Sequence, residues 1–119
     1  MDVSCHSFLR MAKPAAPLTM EGGSMFAMSD YGAMRVVPVS NVMDPVKPAL
    51  AASCRGLAPG LGPWGIRVPA ISPGPQKTRA ASGLRIMDAG STCAYLASPC
   101  ARRVMGSTVH IDGSANIVA

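Results

Sequence analysis

Ile66-Arg67-Val68-Pro69-Ala70-Ile71-Ser72 is the stretch on which the fold turns. Apolar and β-branched residues dominate it, with Gly62-Pro63-Trp64-Gly65 as turn chemistry before it and Ser72-Pro73-Gly74-Pro75 after it. A short apolar run bounded in this way suits a strand buried on both faces, as in a parallel sheet. Pro69 stands in its middle and cannot donate to a ladder, which predicts an edge strand or a bulge.

Reading outward, the same kind of run recurs at Ser24-Met-Phe-Ala-Met-Ser29 and at Thr108-Val-His-Ile-Asp112, closed by Gly113. Helical periodicity fills the intervals. Cys5, Phe8, Leu9 and Ala12 share one face of a helix over Asp2–Lys13, which Pro14 and Pro17 end. Val46, Ala49, Leu50, Cys54 and Leu57 form a second stripe, with Asn41 or Asp44 able to cap it and Pro45 tolerable in the first turn. In that helix Pro48 removes an interior hydrogen bond and clashes with the Asp44 carbonyl, at a cost of about 3 kcal/mol, and Pro59 shortens its far end. A third helix covers Asp88–Ser98, with Ala89, Cys93 and Leu96 on one face, after a loop from Pro73 to Gly83. The order αβαβαβ predicts an α/β fold: a partial Rossmann-like parallel sheet with flanking helices.

The chain has 119 residues, enough for one domain. Gly, Pro, Ser and Gln make up 36 of them, a share usual for low-complexity chains. The 49% hydrophobic content is largely Ala (18) and Met (9), while Leu, Ile, Val and Phe number only 24, so large core side chains are scarce. The longest uncharged stretch, Ala89–Ala101, is 13 residues and too short to span a bilayer. Met1-Asp2 opens no basic-then-apolar signal, so a cytoplasmic location is expected. Cys5, Cys54, Cys93 and Cys100 lack paired spacing and point to no metal site. A net charge of +5 comes from basic residues scattered singly from Arg10 to Arg85 and one adjacent pair, Arg102-Arg103, and the five aromatics are not interleaved with them. That excludes a stacking platform for nucleic acid and favours a solvated basic surface or one that meets an acidic protein.

Four segments, in order, carry a resemblance: Asn41-Val-Met-Asp-Pro-Val-Lys47, Gly65-Ile-Arg-Val-Pro-Ala-Ile-Ser-Pro-Gly-Pro75, Thr78-Arg-Ala-Ala-Ser-Gly83 and Gly106-Ser-Thr-Val-His-Ile-Asp-Gly113. Together they resemble the C-terminal half of the NADH-dependent enoyl-[acyl-carrier-protein] reductases of bacterial fatty-acid synthesis, a divergent branch of the short-chain dehydrogenases. The resemblance implies that residues 1–119 are the C-terminal part of such a domain, without its N-terminal nucleotide-binding half. It also implies an oxidoreductase fold that passes a hydride from NADH to an enoyl thioester on acyl carrier protein, in a homotetramer.

The same resemblance assigns the site. Lys47 matches the lysine that clamps the nicotinamide ribose. Ser40 stands at the position of the tyrosine that donates to the thioester oxygen, and Asp30 at that of a second active-site tyrosine ten residues earlier, with Tyr31 beside it. A serine hydroxyl is a poorer acid than a phenol and reaches less far. Asp44 replaces a family glycine. Gln76, Lys77, Thr78, Arg79 and Ala80 match the loop along the cofactor NAD, and Met43, Ala80 and Ala81 match the acyl pocket. After Leu84 the family's basic lid helix is cut short, with Arg85 alone at its first basic position. No glycine-rich turn follows a first strand, so adenine and most of the pyrophosphate lack a site in these residues. The resemblance therefore implies an isolated chain without turnover. Two other readings stay open: a non-catalytic fragment that associates with an intact reductase, and a gene remnant whose Pro48, Pro59 and Pro69 disturb folding.

Overall fold

A computed structural model describes residues 1–19, 21–35, 43–74 and 86–118 of the chain. Its centre is the run singled out above, split into β3 (Ile66–Arg67) and β4 (Ala70–Pro73). On one side lie β1 (Gly23–Ser24) and β2 (Ala27–Met28), and on the other β5 (Thr108–Ile111), every pairing parallel. Ala27 pairs with Ala70 and Ala70 with Thr108, so the three stretches stand side by side in chain order. This is the expected parallel α/β arrangement.

Pro69 corrects the expectation of an edge or a bulge: it lies fully buried in the interval between β3 and β4, across which the register to β1 and β2 is unchanged. The amides of Met25, Ala27 and Ser29 donate to the carbonyls of Arg67, Pro69 and Ile71 at 2.8, 3.2 and 2.7 Å. In that register the next donor back toward the first strand is the N–H that Pro69 lacks. The ladder therefore breaks into β1·β3 and β2·β4, while the Pro69 carbonyl still takes its bond.

The helices α1 (Ser7–Ala15), α2 (Met43–Leu61) and α3 (Ile86–Ala97) flank the sheet, and a short α4 (Ala115–Val118) follows β5. A single π-helical turn over Asp2–His6 precedes α1, and a 3-10 turn carries the chain on to Thr19, so Pro14 sits inside the helix rather than ending it. The buried stripe is Cys5, Phe8, Ala12 and Ala16; Leu9, expected inside, is 38% exposed. Pro48 and Pro59 both lie within α2, which runs on to Leu61. Each removes only one backbone donor, and the burial of Val46, Leu50, Ala51, Cys54 and Ala58 along the same helix offsets that cost.

Successive residues of a strand face opposite ways, which divides the core in two. Met25, Ala27, Ile66, Val68 and Ala70 pack with Phe8, Leu50 and Cys54 of the α1/α2 face. On the other face Ile71 meets Leu96 of α3 and Ala101, with Phe26, Val109 and Ile111 partly buried beside them. Gly65 makes the turn into β3: its φ is +72°, and a Cβ there would sit 3.3 Å from the Gly22 Cα. Among the described residues no helix is long and apolar enough to cross a membrane.

Candidate active site at the carboxyl ends of the strands

In open parallel sheets ligands bind beyond the carboxyl ends of the strands, and here those ends are Met28–Asp30, Ser72–Gly74 and Ile111–Gly113. Asp30 leaves β2 in extended backbone (φ −152°, ψ −177°) and opens the 3-10 turn Tyr31–Ala33, accepting a bond from the Ala33 amide at 3.1 Å. That turn packs on α2. Lys47, one turn into α2, reaches back to the same end, and its Nζ donates to the Met28 carbonyl at 2.9 Å. Met43 lies one helical turn before Lys47, 43% exposed.

Two buried side-chain oxygens in this neighbourhood have no hydrogen-bond partner among the described residues: Ser29 Oγ at the end of β2, and Asp44 Oδ1 in the first turn of α2. Polar atoms removed from water are normally paired, so an unpaired hydroxyl and an unpaired carboxyl oxygen are groups able to bind a polar ligand. Asp44 also suits its place, since a negative group near a helix N-terminus interacts favourably with the helix dipole. The Nδ1 of His110 on β5 is the third such buried atom.

The β4 corner is held by backbone. The Gly74 amide donates to the Ile111 carbonyl at 2.9 Å, and a Cβ on Gly74 would lie 2.6 Å from the Asp112 Cα, a contact that backbone cannot relieve. Asp112 Oδ1 in turn accepts from the Ser114 amide at 3.0 Å, holding a tight turn in which Gly113 (φ +59°) and Ser114 (φ +74°) are left-handed. The start of the loop read as cofactor-facing is thus fixed against the end of β5.

Of the residues singled out in the sequence, Asp30, Met43 and Lys47 lie at this one end of the sheet. Ser40, Gln76, Lys77, Thr78, Arg79, Ala80 and Ala81 lie outside the described residues. Ser29 and Asp44 went unnoticed as candidate ligands. The signal that could have found Ser29 is its position, polar and last in a strand that a parallel sheet buries.

Arg67 was missed altogether as a structural group. It is 8% exposed and has no carboxylate partner among the described residues; Nη1 donates to the carbonyls of Leu96 and Ser98 at 2.9 Å each, and Nη2 to that of Ala97 at 3.2 Å. The Ser24 hydroxyl adds a bond to the Leu96 carbonyl at 3.1 Å. A cation on the last carbonyls of a helix meets the negative end of its dipole and satisfies acceptors the helix leaves open. Arg67 therefore ties the C-terminus of α3 to the sheet.

Cys54 shows the opposite use of burial. Enclosed in the α1/α2 core, its thiol is pushed up from 9.0 to about 11, chiefly by burial, with Arg55 lowering it and Cys5 raising it to lesser degrees. It is a packed hydrophobe and not a nucleophile.

Residues 1–89 match the family model described as enoyl-(acyl carrier protein) reductase. The chain is 40% identical to enoyl-[acyl-carrier-protein] reductase [NADH] 2 of Rhizobium meliloti, over all of this chain and 52% of that protein. It is 36% identical to the Escherichia coli enzyme FabI, over 99% of this chain and 53% of the relative. Among solved structures, the enoyl-[acyl-carrier-protein] reductase (NADH) of Aquifex aeolicus superposes with a TM-score of 0.91 at 37% identity, covering 100% of this chain and 51% of that one. The Anaplasma phagocytophilum reductase, solved in complex with NAD, gives 0.90 at 38% identity over 97% and 49%. The chain spans about half the length of the relatives it matches. By the match of a family model to most of its length, and by relatives that share its sheet, its helices and more than a third of its residues, the chain belongs to the enoyl-(acyl carrier protein) reductase family.

Proposed function

We propose that residues 1–119 form the C-terminal, lysine-bearing part of an NADH-dependent enoyl-acyl-carrier-protein reductase domain, and that this chain by itself does not reduce an enoyl thioester. The observation that carries the reading is Lys47, held at the carboxyl end of a parallel sheet by the Met28 carbonyl. An ammonium has three donors; with one spent on Met28, two remain for the hydroxyls of a ribose. To that extent the residues fit NAD, whose bound nicotinamide would supply the hydride.

The fit stops there. Reduction of the double bond develops negative charge on the thioester oxygen, which needs a donor aimed at it. Asp30 brings carboxyl oxygens to a position where the family places a phenol, and a carboxylate accepts and repels where the chemistry needs donation. Ser40, at the other tyrosine position, offers a weaker and shorter donor. No glycine-rich turn for a pyrophosphate occurs in these residues. The loop of Gln76, Lys77, Thr78, Arg79 and Ala80 would line the cofactor, and Met43, Ala80 and Ala81 the acyl chain, with the acyl-carrier-protein thioester as the partner. Against a no-protein control, NADH absorbance in the presence of an enoyl thioester should not fall faster when the purified chain is added. Turnover well above that control overturns the reading.

A further inference from the structure

The two faces of β5 differ in kind. Val109 and Ile111 pack toward α3 with Ile71 and Leu96, so Thr108 and His110 face α2. A parallel strand under a helix is normally apolar on that side, as Ile66, Val68 and Ala70 are in the same sheet. Opposite Thr108 and His110 stand Pro48, Ala51 and Arg55 of α2, and the two surfaces do not close on each other. With Met34, which follows the 3-10 turn, these residues line a cleft of about 410 Å³, inside the range of about 300–1,000 Å³ usual for small-ligand pockets.

The polar groups of the cleft lack partners. Arg55 is exposed and makes no salt bridge or hydrogen bond with the described residues. The Thr108 hydroxyl has no hydrogen bond among them either. His110 Nδ1, out of contact with water, is likewise without a partner among the described residues, although buried polar atoms are normally paired. No bond at Nδ1 therefore fixes which ring nitrogen carries the proton, and the neutral imidazole can offer a donor. The rest of the wall, Met34, Pro48 and Ala51, is apolar, and among the described residues no carboxylate lines the cleft.

We propose that this cleft binds a small monocarboxylate with a short apolar body. A carboxylate accepts two parallel bonds from one guanidinium and keeps lone pairs for a hydroxyl and an imidazole N–H. Its apolar body leaves water against Met34, Pro48 and Ala51. Inorganic phosphate suits the guanidinium but has nothing to place on that wall, and a neutral alcohol has the reverse defect. Lys47 does not line the cleft, so the inference is separate from turnover. A chain that reduced an enoyl thioester would overturn the proposed function and leave this binding result as it is.

The test titrates the isotope-labelled full chain with sodium hexanoate and follows amide shifts by nuclear magnetic resonance, beside titrations with inorganic phosphate and with 1-hexanol. Saturable shifts are expected at Ala51, Arg55, Thr108 and His110, with a Kd on the order of 1 mM, a range open to a ligand of so few atoms. Phosphate and 1-hexanol should each bind at least about tenfold more weakly. Arg55→Met changes an exposed residue and should leave the unfolding midpoint within about 2 °C of the wild type. It should weaken hexanoate at least roughly tenfold, and Arg55→Lys should recover part of that loss. Thr108→Val, which removes the hydroxyl and nearly keeps the shape, should weaken it about threefold. The proposal is overturned if hexanoate gives no saturable shifts up to about 20 mM, if Arg55→Met binds as tightly as the wild type, or if phosphate or 1-hexanol matches hexanoate. It is equally overturned if the shifts gather at Met11, Phe26 and Lys47 instead of at the cleft.

Discussion

The two faces of the sheet are held by different physics. Toward α1 and α2 the core is continuous and oily, with Phe8, Met25, Leu50, Cys54, Ile66 and Val68 buried together. Toward α3 the fully buried apolar set shrinks to Ile71, Leu96 and Ala101, and a guanidinium on three carbonyls supplies much of the attachment. A chain poor in large apolar side chains can fill one face of a parallel sheet. On the other it substitutes directional bonds for area, and these, unlike oil, fail when a single partner is removed.

Deepest in the filled face, Ile66→Ala should have the largest effect, a loss of about 4 kcal/mol, within the range for emptying a fully buried Ile site. Since native domains hold only about 5–15 kcal/mol in total, urea unfolding of this variant should shift to a much lower midpoint, with fluorescence and circular dichroism moving together. A loss below about 1 kcal/mol would show that this face is not the stronger one.

Arg67→Met keeps the length of the side chain and removes its three bonds, for an expected loss of about 2–3 kcal/mol. The loss should be local, with amide exchange accelerating in α3 well before α2. Uniform acceleration across both helices would break the contrast between the faces.

The smallest effect is a loss of stability that shows only in alkaline solution. Because burial raises the Cys54 thiol from 9.0 to about 11, the folded state holds that proton more tightly than the unfolded one. Its contribution is complete below pH 9 and is lost as pH rises toward 11. The unfolding midpoint should fall across that window, and Cys54→Ala should flatten the fall. At pH 8 a thiol reagent should modify exposed Cys100 while sparing Cys54 until the chain unfolds.

Much of the fold was legible because its signals are local. The apolar runs at 24–29, 66–72 and 108–112 became parallel strands, and the helical stripe through Val46, Leu50 and Cys54 became the buried side of α2. Local rules failed where burial outweighed them. Pro14, Pro48 and Pro59 each read as a helix end or defect, yet all three are carried inside helices, because the apolar residues around them gain more than one missing donor costs. Leu9 fits the period of α1 but is partly exposed, since the stripe that packs is narrower than the apolar pattern.

The sequence by itself determined the alternation of helix and strand, the parallel sheet and the position of Lys47 on a helix, for each depends on residues within a few positions of one another. Only the tertiary structure decided that Pro69 is buried between β3 and β4, that Lys47 reaches the Met28 carbonyl, and that Arg67 closes the end of α3. Those contacts join residues 19 to 31 positions apart or more. Which carbonyl a cation finds, and which edge of a strand stays open, follows from how the elements stack rather than from what any one of them contains.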